Sequence, residues 1–159
     1  KEFKDILLSV QAIDKKGNVL TIAKKDINFE YRESGLSDDL IFLSASFRGK
    51  KDNLNNIKLE MNRIKAEKEK NQPSKIKTSG STFKNPVSQT QKKVWELIKE
   101  SVPLDKKFGD ASISKKHCNF FVNEGNATFD DMTKLINFVS KKVLDKTGVS
   151  LEKEIKILE

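Results

Sequence analysis

The sequence predicts an α+β fold in two parts, a sheet-rich opening followed by a small α+β domain. Three patterns carry this reading. Apolar and polar residues alternate over 5–13 and 40–48, the two-residue period of a half-buried strand. Met132, Leu135, Ile136, Val139 and Val143 recur at i, i+3, i+4, i+7 and i+11, the period of a helix with one buried face. Between these regions Asn71-Gln72-Pro73-Ser74 stops a helical stretch, because proline removes a donor and restricts its predecessor.

Within 5–13, Ile6, Leu8, Val10 and Ala12 fall on one side of the predicted strand. Asp14-Lys15-Lys16-Gly17-Asn18 is turn chemistry, and Val19 to Ala23 returns as the second arm of a hairpin. Residues 26–34 hold Phe29, Tyr31 and Arg32 and read as a turn and a loop before Gly35. Leu40 to Arg48 is a third strand, apolar at Ile41, Leu43, Ala45 and Phe47. Three short strands leave one sheet face uncovered, so 1–50 reads as the end of a sheet-rich domain.

Over 52–70, Leu54, Ile57, Met61 and Ile64 share a helical face, with Asp52 or Asn53 as the N-cap. Residues 51–72 are therefore a linking helix, and 73–159 form the second domain. There, a segment near Ile76 leads into Gly80-Ser81-Thr82-Phe83-Lys84-Asn85-Pro86. A helix around 91–101 follows, with Val94, Trp95, Leu97 and Ile98 as its apolar side. Residues 111–114 and 119–123 read as short strands, with Trp95, Phe120 and Phe121 in the core. Thr128 and Asp131 form a capping box for the long helix, and Gly148 ends it. Leu151 to Leu158 alternates again and predicts a final strand.

Lysine and arginine number 31 against 23 acidic residues, a formal charge of +8 that favours anionic partners. Between Lys50 and Lys77 nine basic residues face four acidic ones, so this stretch holds five of the eight net charges. A solvated helix face with a basic linker fits, and so does a local phosphate site. A basic nucleic-acid-binding module is the alternative, although no aromatics interleave with the lysines and no RNA-binding or zinc-finger pattern is present. Cys118 is the only cysteine, which excludes an internal disulfide and suits a reducing compartment. His117 is the only histidine, which excludes a His-rich metal site; no metal is expected. No stretch approaches the ~20 apolar residues of a membrane helix, and no signal peptide is visible. The first residue is Lys1, as expected of a chain whose start has been removed or of a piece of something longer.

Three clusters bear chemistry. In 80–86, Gly80 permits a backbone conformation closed to other residues, and Ser81, Lys84 and Asn85 offer a hydroxyl, a cation and an amide. A strand-end turn with a solvated lysine fits the same residues. A serine hydrolase is disfavoured, since there is no Gly-x-Ser-x-Gly elbow and no acidic partner for the lone histidine. In 29–34, Arg32 on a loop can clamp a carboxylate or phosphate, or pair at the surface with Glu30 or Glu33. In 151–156, Glu152, Glu154 and Lys156 share one side of a strand: an ordinary polar face, or, if it borders a cleft, a candidate acid beside a cation.

These clusters, in this order, resemble UDP-N-acetylenolpyruvoylglucosamine reductase (UDP-N-acetylmuramate dehydrogenase). The matching pieces are Phe29-Glu30-Tyr31-Arg32-Glu33-Ser34, Gln72-Pro73, Gly80 to Pro86, Gly109-Asp110-Ala111 with Ser114 to Phe120, Asn123-Glu124-Gly125-Asn126-Ala127, and Leu151 to Ile157. The compact loop after Tyr31-Arg32 is similar to the shorter, second type of the family. The N-terminal half that supplies most of the family's flavin-binding domain has no counterpart. The resemblance thus implies the C-terminal part of the FAD-binding domain over 1–50, a linking helix over 51–72 and the substrate-binding domain over 73–159.

The family's activity is an FAD- and NADPH-dependent reduction of UDP-N-acetylglucosamine enolpyruvate to UDP-N-acetylmuramate, a step of cytoplasmic peptidoglycan precursor synthesis. The resemblance implies that Ser81 is the proton donor, and that Arg32 and Glu154 hold the substrate carboxylate and stabilise its enolate-like intermediate. Lys156 stands where relatives often carry arginine. Lys84, Asn85 and His117 match positions near the substrate, Lys68 or Lys70 meets its diphosphate, and Tyr31 packs on substrate or flavin. FAD binding by this chain alone is expected to be weak or absent. No nucleic acid, no membrane and a monomer complete the expectation.

Overall fold

The computed structural model describes residues 2–158, so Lys1 and Glu159, which bound the two expected domains, lie outside the described residues. These residues divide into two compact units, the first running to Ile57 and the second beginning at Lys58.

The first unit opens with a single helical turn, α1 (Phe3–Ile6), closed by the Glu2 N–H donating to Asp5 Oδ2 at 2.8 Å. Strands β1 (Leu7–Ile13), β2 (Val19–Ala23) and β3 (Ile41–Phe47) form an antiparallel sheet in the order β2-β1-β3. Asp14 builds the first turn: its Oδ1 accepts from the N–H groups of Lys16 and Asn18, and Gly17 takes φ +86°. The expected alternation over 5–13 is corrected at its start. Val10 and Ala12 are buried, but Ile6 lies in α1, Leu8 is exposed, and Leu7 is buried instead. The pairing of β1 with β3 shifts between Leu7 and Ser9 and again between Gln11 and Ala12. Such an irregularity changes which side chains face inward.

Every residue of β3 is exposed, Ile41 to 68%. The core of this unit is small: Leu7, Val10 and Ile27, with Ile22, Phe29 and Leu36 against them.

Helix α2 (Leu54–Asn71) is capped by Asn53, whose Oδ1 accepts the Asn55 N–H at 2.8 Å. It ends just before Gln72-Pro73, as predicted. Its periodic face is exposed at Leu54, Ile57, Met61 and Ile64, so periodicity specified the helix and not a buried partner for it.

In the second unit, β4 (Lys77–Ser81), β5 (Lys107–Phe108), β6 (Ala111–Ile113) and β7 (Phe120–Asn123) form an antiparallel sheet in the order β4-β7-β6-β5. Helices α3 (Val94–Ser101) and α4 (Phe129–Thr147) pack together, and α4 covers β5 and β6. Helices segregated on an antiparallel sheet make an α+β domain. The core includes Phe83, Leu97, Ile98, Phe121, Leu135, Ile136, Val139 and Val143. Each such side chain contributes about 1.5–3 kcal/mol by leaving water. The predicted capping box forms: Thr128 Oγ1 accepts from Asp131 N–H at 3.1 Å, and Asp131 Oδ2 accepts from Thr128 N–H at 2.9 Å. Gly148 ends α4 at φ +72°.

Two expectations fail here. Trp95 is not core but 42% exposed, because Val94, Leu97 and Ile98 already fill the inward face of α3. Leu151–Leu158 is not a strand. It makes one isolated bridge, Phe83 with Lys153, and then bends at Glu154 and Ile155. The buried Leu151 and the half-buried Ile155 and Ile157 follow the core rather than a sheet edge.

Candidate functional site

Ser81 ends β4, and a bulge sets its direction. Thr78 pairs with Val122 and Ser81 with Phe120, so two residues, Ser79 and Gly80, stand opposite the single Phe121. Gly80 within the bulge takes φ +89°, a conformation other residues adopt only with strain. A Cβ there would meet nothing within 4 Å, so the glycine serves the turn and not a close approach. Thr78 Oγ1 secures the bulge by donating to the Phe121 carbonyl at 2.7 Å and accepting from Gly80 N–H at 3.3 Å. Bulges of this kind re-aim a side chain.

The next residues are held from both sides. On one side, Thr82 N–H donates to the Asn119 carbonyl at 2.8 Å. On the other, Thr82 C=O accepts from Glu154 N–H and Lys84 N–H donates to the Glu152 carbonyl, each at 2.9 Å. Ser81 and Glu154 therefore sit on hydrogen-bonded neighbouring segments. Lys84 Nζ pairs with Glu152, and its side chain is only 20% exposed. Asn85 Oδ1 accepts the Val94 N–H at 3.0 Å and so satisfies a donor at the start of α3. Lys156 lies exposed beyond the bend.

His117 is half-buried in the loop between β6 and β7, its ring edge-on to Phe120 at 4.9 Å. Its Nδ1 accepts the Asn119 N–H at 3.3 Å. Burial holds its pKa below the ordinary imidazole value. His117 borders an open cavity of about 370 Å³, shared with Trp95, Lys99, Lys115 and Lys116. Three lysines beside an exposed aromatic ring suit an anionic ligand with a flat, apolar part. The Lys116 ammonium donates to the Glu69 carbonyl, tying this loop to the end of α2, where Lys68 and Lys70 are exposed.

Tyr31 and Arg32 belong to the first unit. Glu30 and Glu33 exchange main-chain hydrogen bonds at 3.0 and 3.3 Å, which folds Tyr31-Arg32 into a tight turn. Arg32 takes φ +63°, uncommon for a residue with a side chain. Its guanidinium lies 5.5 Å from the centre of the Tyr31 ring, a cation–π contact. Both residues are exposed and border an open concavity with Glu2 and Lys4.

The second unit thus brings Ser81, Lys84, Asn85, His117 and Glu154 onto adjoining segments, while Tyr31 and Arg32 share a turn in the first. Sequence reading missed two contributors. Asn119 looked like the start of a strand, and Trp95 like core. An asparagine beside a run of buried aromatics was the available signal for the first, since buried amides are held by several hydrogen bonds. Among the described residues no cluster of metal-ligating side chains occurs, and no helix is long and apolar enough to cross a membrane.

Residues 72–158 match the family model described as UDP-N-acetylenolpyruvoylglucosamine reductase, C-terminal domain. The chain is 63% identical over 159 residues to a UDP-N-acetylenolpyruvoylglucosamine reductase of Pelagibacter ubique (strain HTCC1062), covering all of this chain and 53% of that protein. It is 46% identical over 154 residues to the same-named protein of Rickettsia typhi (strain ATCC VR-144 / Wilmington), covering 97% and 51%. In three dimensions it is similar to the crystal structure of UDP-N-acetylenolpyruvylglucosamine reductase from Thermus caldophilus, with TM-score 0.76 and 27% identity over 96% of this chain and 53% of that one. The chain spans about half the length of the curated relatives it matches. None of these matches supports the nucleic-acid-binding alternative.

Proposed function

The chain belongs to the family of UDP-N-acetylenolpyruvoylglucosamine reductase C-terminal domains, and we propose that it is the substrate-binding and proton-donating part of such a reductase. The substrate is then UDP-N-acetylglucosamine enolpyruvate and the product UDP-N-acetylmuramate, within cytoplasmic peptidoglycan precursor synthesis. The observation that carries this is the Gly80 bulge, which presents Ser81 on a segment bonded directly to that of Glu154.

In this reading residues 73–159 form the substrate domain and 1–50 the end of a flavin-binding domain. FAD and NADPH are the cofactors of the complete reductase. The residues of this chain do not fit FAD by themselves. The apolar groove of the first unit, about 360 Å³, is bordered by Phe3, Leu7, Phe29, Phe42 and Leu43, with Ser34 and Ser44 as its polar members. Among the described residues, none of those lining it is a cation that could hold a diphosphate.

The role of this chain's own residues follows from their chemistry. Reduction of an enolpyruvyl group moves negative charge onto its carboxylate. Arg32 supplies a fixed cation there and Glu154 a hydrogen bond, so both act most strongly as charge develops. Ser81 delivers its hydroxyl proton to the adjacent carbon. A serine is a weak acid, so its alkoxide has to be stabilised or rapidly reprotonated. The cavity of His117, Trp95, Lys99, Lys115 and Lys116 takes the nucleotide end, with Lys68 or Lys70 toward the diphosphate. Asn85, Lys84 and Lys156 complete the substrate contacts, and Tyr31 braces Arg32.

An NMR titration of this chain with the UDP-enolpyruvyl sugar, beside an RNA control, tests the assignment. Shifts at Gly80 to Asn85 and at His117 are expected. A response to RNA alone, weakening steeply with salt, would replace it with the nucleic-acid reading.

A further inference from the structure

Asn119 is 3% exposed and uses four polar groups at once. Its side-chain Oδ1 accepts from Phe83 N–H at 3.1 Å, and its Nδ2 donates to Phe83 C=O at 2.9 Å. Its main-chain carbonyl accepts from Thr82 N–H at 2.8 Å, and its main-chain N–H donates to His117 Nδ1 at 3.3 Å. The carboxamide orientation is dictated by these partners, since the reverse would set donor against donor and acceptor against acceptor. β4 stops pairing with β7 at Ser81 and Phe120. Two residues past Ser81, the Asn119 carboxamide takes up both main-chain groups of Phe83 where pairing with β7 has ended.

The same residue acts on the ring beside it. An imidazole nitrogen that accepts a hydrogen bond carries no proton, so neutral His117 must carry its proton on Nε2. Asn119 thus joins the Ser81 segment to the His117 ring through its own backbone and side chain.

We propose that Asn119 is a positioning residue that sets two groups of the site together, holding Thr82-Phe83, and through them Ser81, in place while fixing His117 as the Nε2–H tautomer. The proposal rests on the reading of Ser81 as proton donor and His117 as a substrate contact. It deepens that reading by naming what aligns the two. The substrate then meets a donor at Nε2, which suits a phosphate or carbonyl oxygen and not an N–H group.

The test joins spectroscopy and kinetics. In the 15N-labelled chain, His117 is expected to be protonated at Nε2 and bare at Nδ1. In Asn119→Ala, the Phe83 amide should exchange with solvent at least tenfold faster. In the complete reductase, the same substitution should lower kcat at least tenfold, with the rate of flavin reduction by NADPH unchanged. A merely structural role would lower both half-reactions together. If the alanine variant does not fold, Asn119→Ser, which can keep one of the two contacts to Phe83, is read in the same way. A proton on Nδ1 in the unsubstituted chain, a wild-type kcat, or an equal loss of both half-reactions overturns the proposal. Failure of the underlying reading looks different: Ser81→Ala would turn over normally, whatever Asn119 does to Phe83 exchange.

Discussion

The main-chain N–H of Glu154 donates to the carbonyl of Thr82 at 2.9 Å, which puts the carboxylate-bearing segment one hydrogen bond away from the residue after Ser81. These residues are 72 positions apart in the chain, and the core beneath them makes them neighbours. Moving either segment moves the other, so the proposed proton donor and the proposed carboxylate contact respond together.

Ser81→Ala should abolish substrate turnover in the complete reductase while leaving reduction of its flavin by NADPH near the unsubstituted rate. Stopped-flow measurement of the two half-reactions separates these effects. Equal loss of both would remove Ser81 as proton donor.

Gly80→Ala should lose about 1–2 kcal/mol of stability, because φ +89° is costly for any residue with a Cβ. Open space around the Cβ means no clash adds to this. Gly148→Ala, at φ +72° and at the end of α4, serves as the control. Both should lower the urea midpoint, and only Gly80→Ala should also change the Ser81 amide shift.

Leu135→Ala should cost about 2–5 kcal/mol, since Leu135 is fully buried in the core of the second unit. Met61→Ala, on the exposed face of α2, should stay within about 0.5 kcal/mol in this chain. Denaturant unfolding of both variants checks the contrast. A large effect at Met61 would mean that the α2 face has a buried partner.

His117 predicts a pH dependence of stability. Its pKa is lowered in the folded chain by burial. The unfolded chain therefore takes up the proton first on acidification. The stabilising contribution is intact above about pH 6.5, the ordinary imidazole value, and is lost as pH falls through the lower folded value. Urea midpoints between pH 7.5 and 5 should show this loss in the unsubstituted chain and a flatter profile in His117→Gln. Identical profiles would mean that the imidazole titrates alike in both states.

The elements whose local signals were strong read correctly from sequence. Asp14 to Asn18 made the first hairpin turn, Thr128 with Asp131 capped α4, and Gly148 ended it, because each device acts within a few residues. The motif pieces around Arg32, Ser81 and Glu154 were equally legible and carried the family, since residue identity and order are properties of the chain itself.

What the sequence could not specify depended on contacts between distant segments. Alternation over 5–13 chose Leu8 for the core, but a shift in pairing with β3 buried Leu7. Alternation over 151–158 looked like a strand, yet the sheet offered no edge beyond one bridge to Phe83. Trp95 had the spacing of a core residue, and Val94, Leu97 and Ile98 had already filled that space. Asn119 gave almost no signal, because its role exists only where Phe83 and His117 arrive beside it. Local hydrogen bonding and periodicity are written in neighbouring residues, so the sequence alone determined the hairpin turn, the main helices with the caps of α4, and the motif residues. Register, burial and the joining of Ser81, Glu154, Asn119 and His117 arise only when remote segments compete for one core, and the tertiary structure decided them.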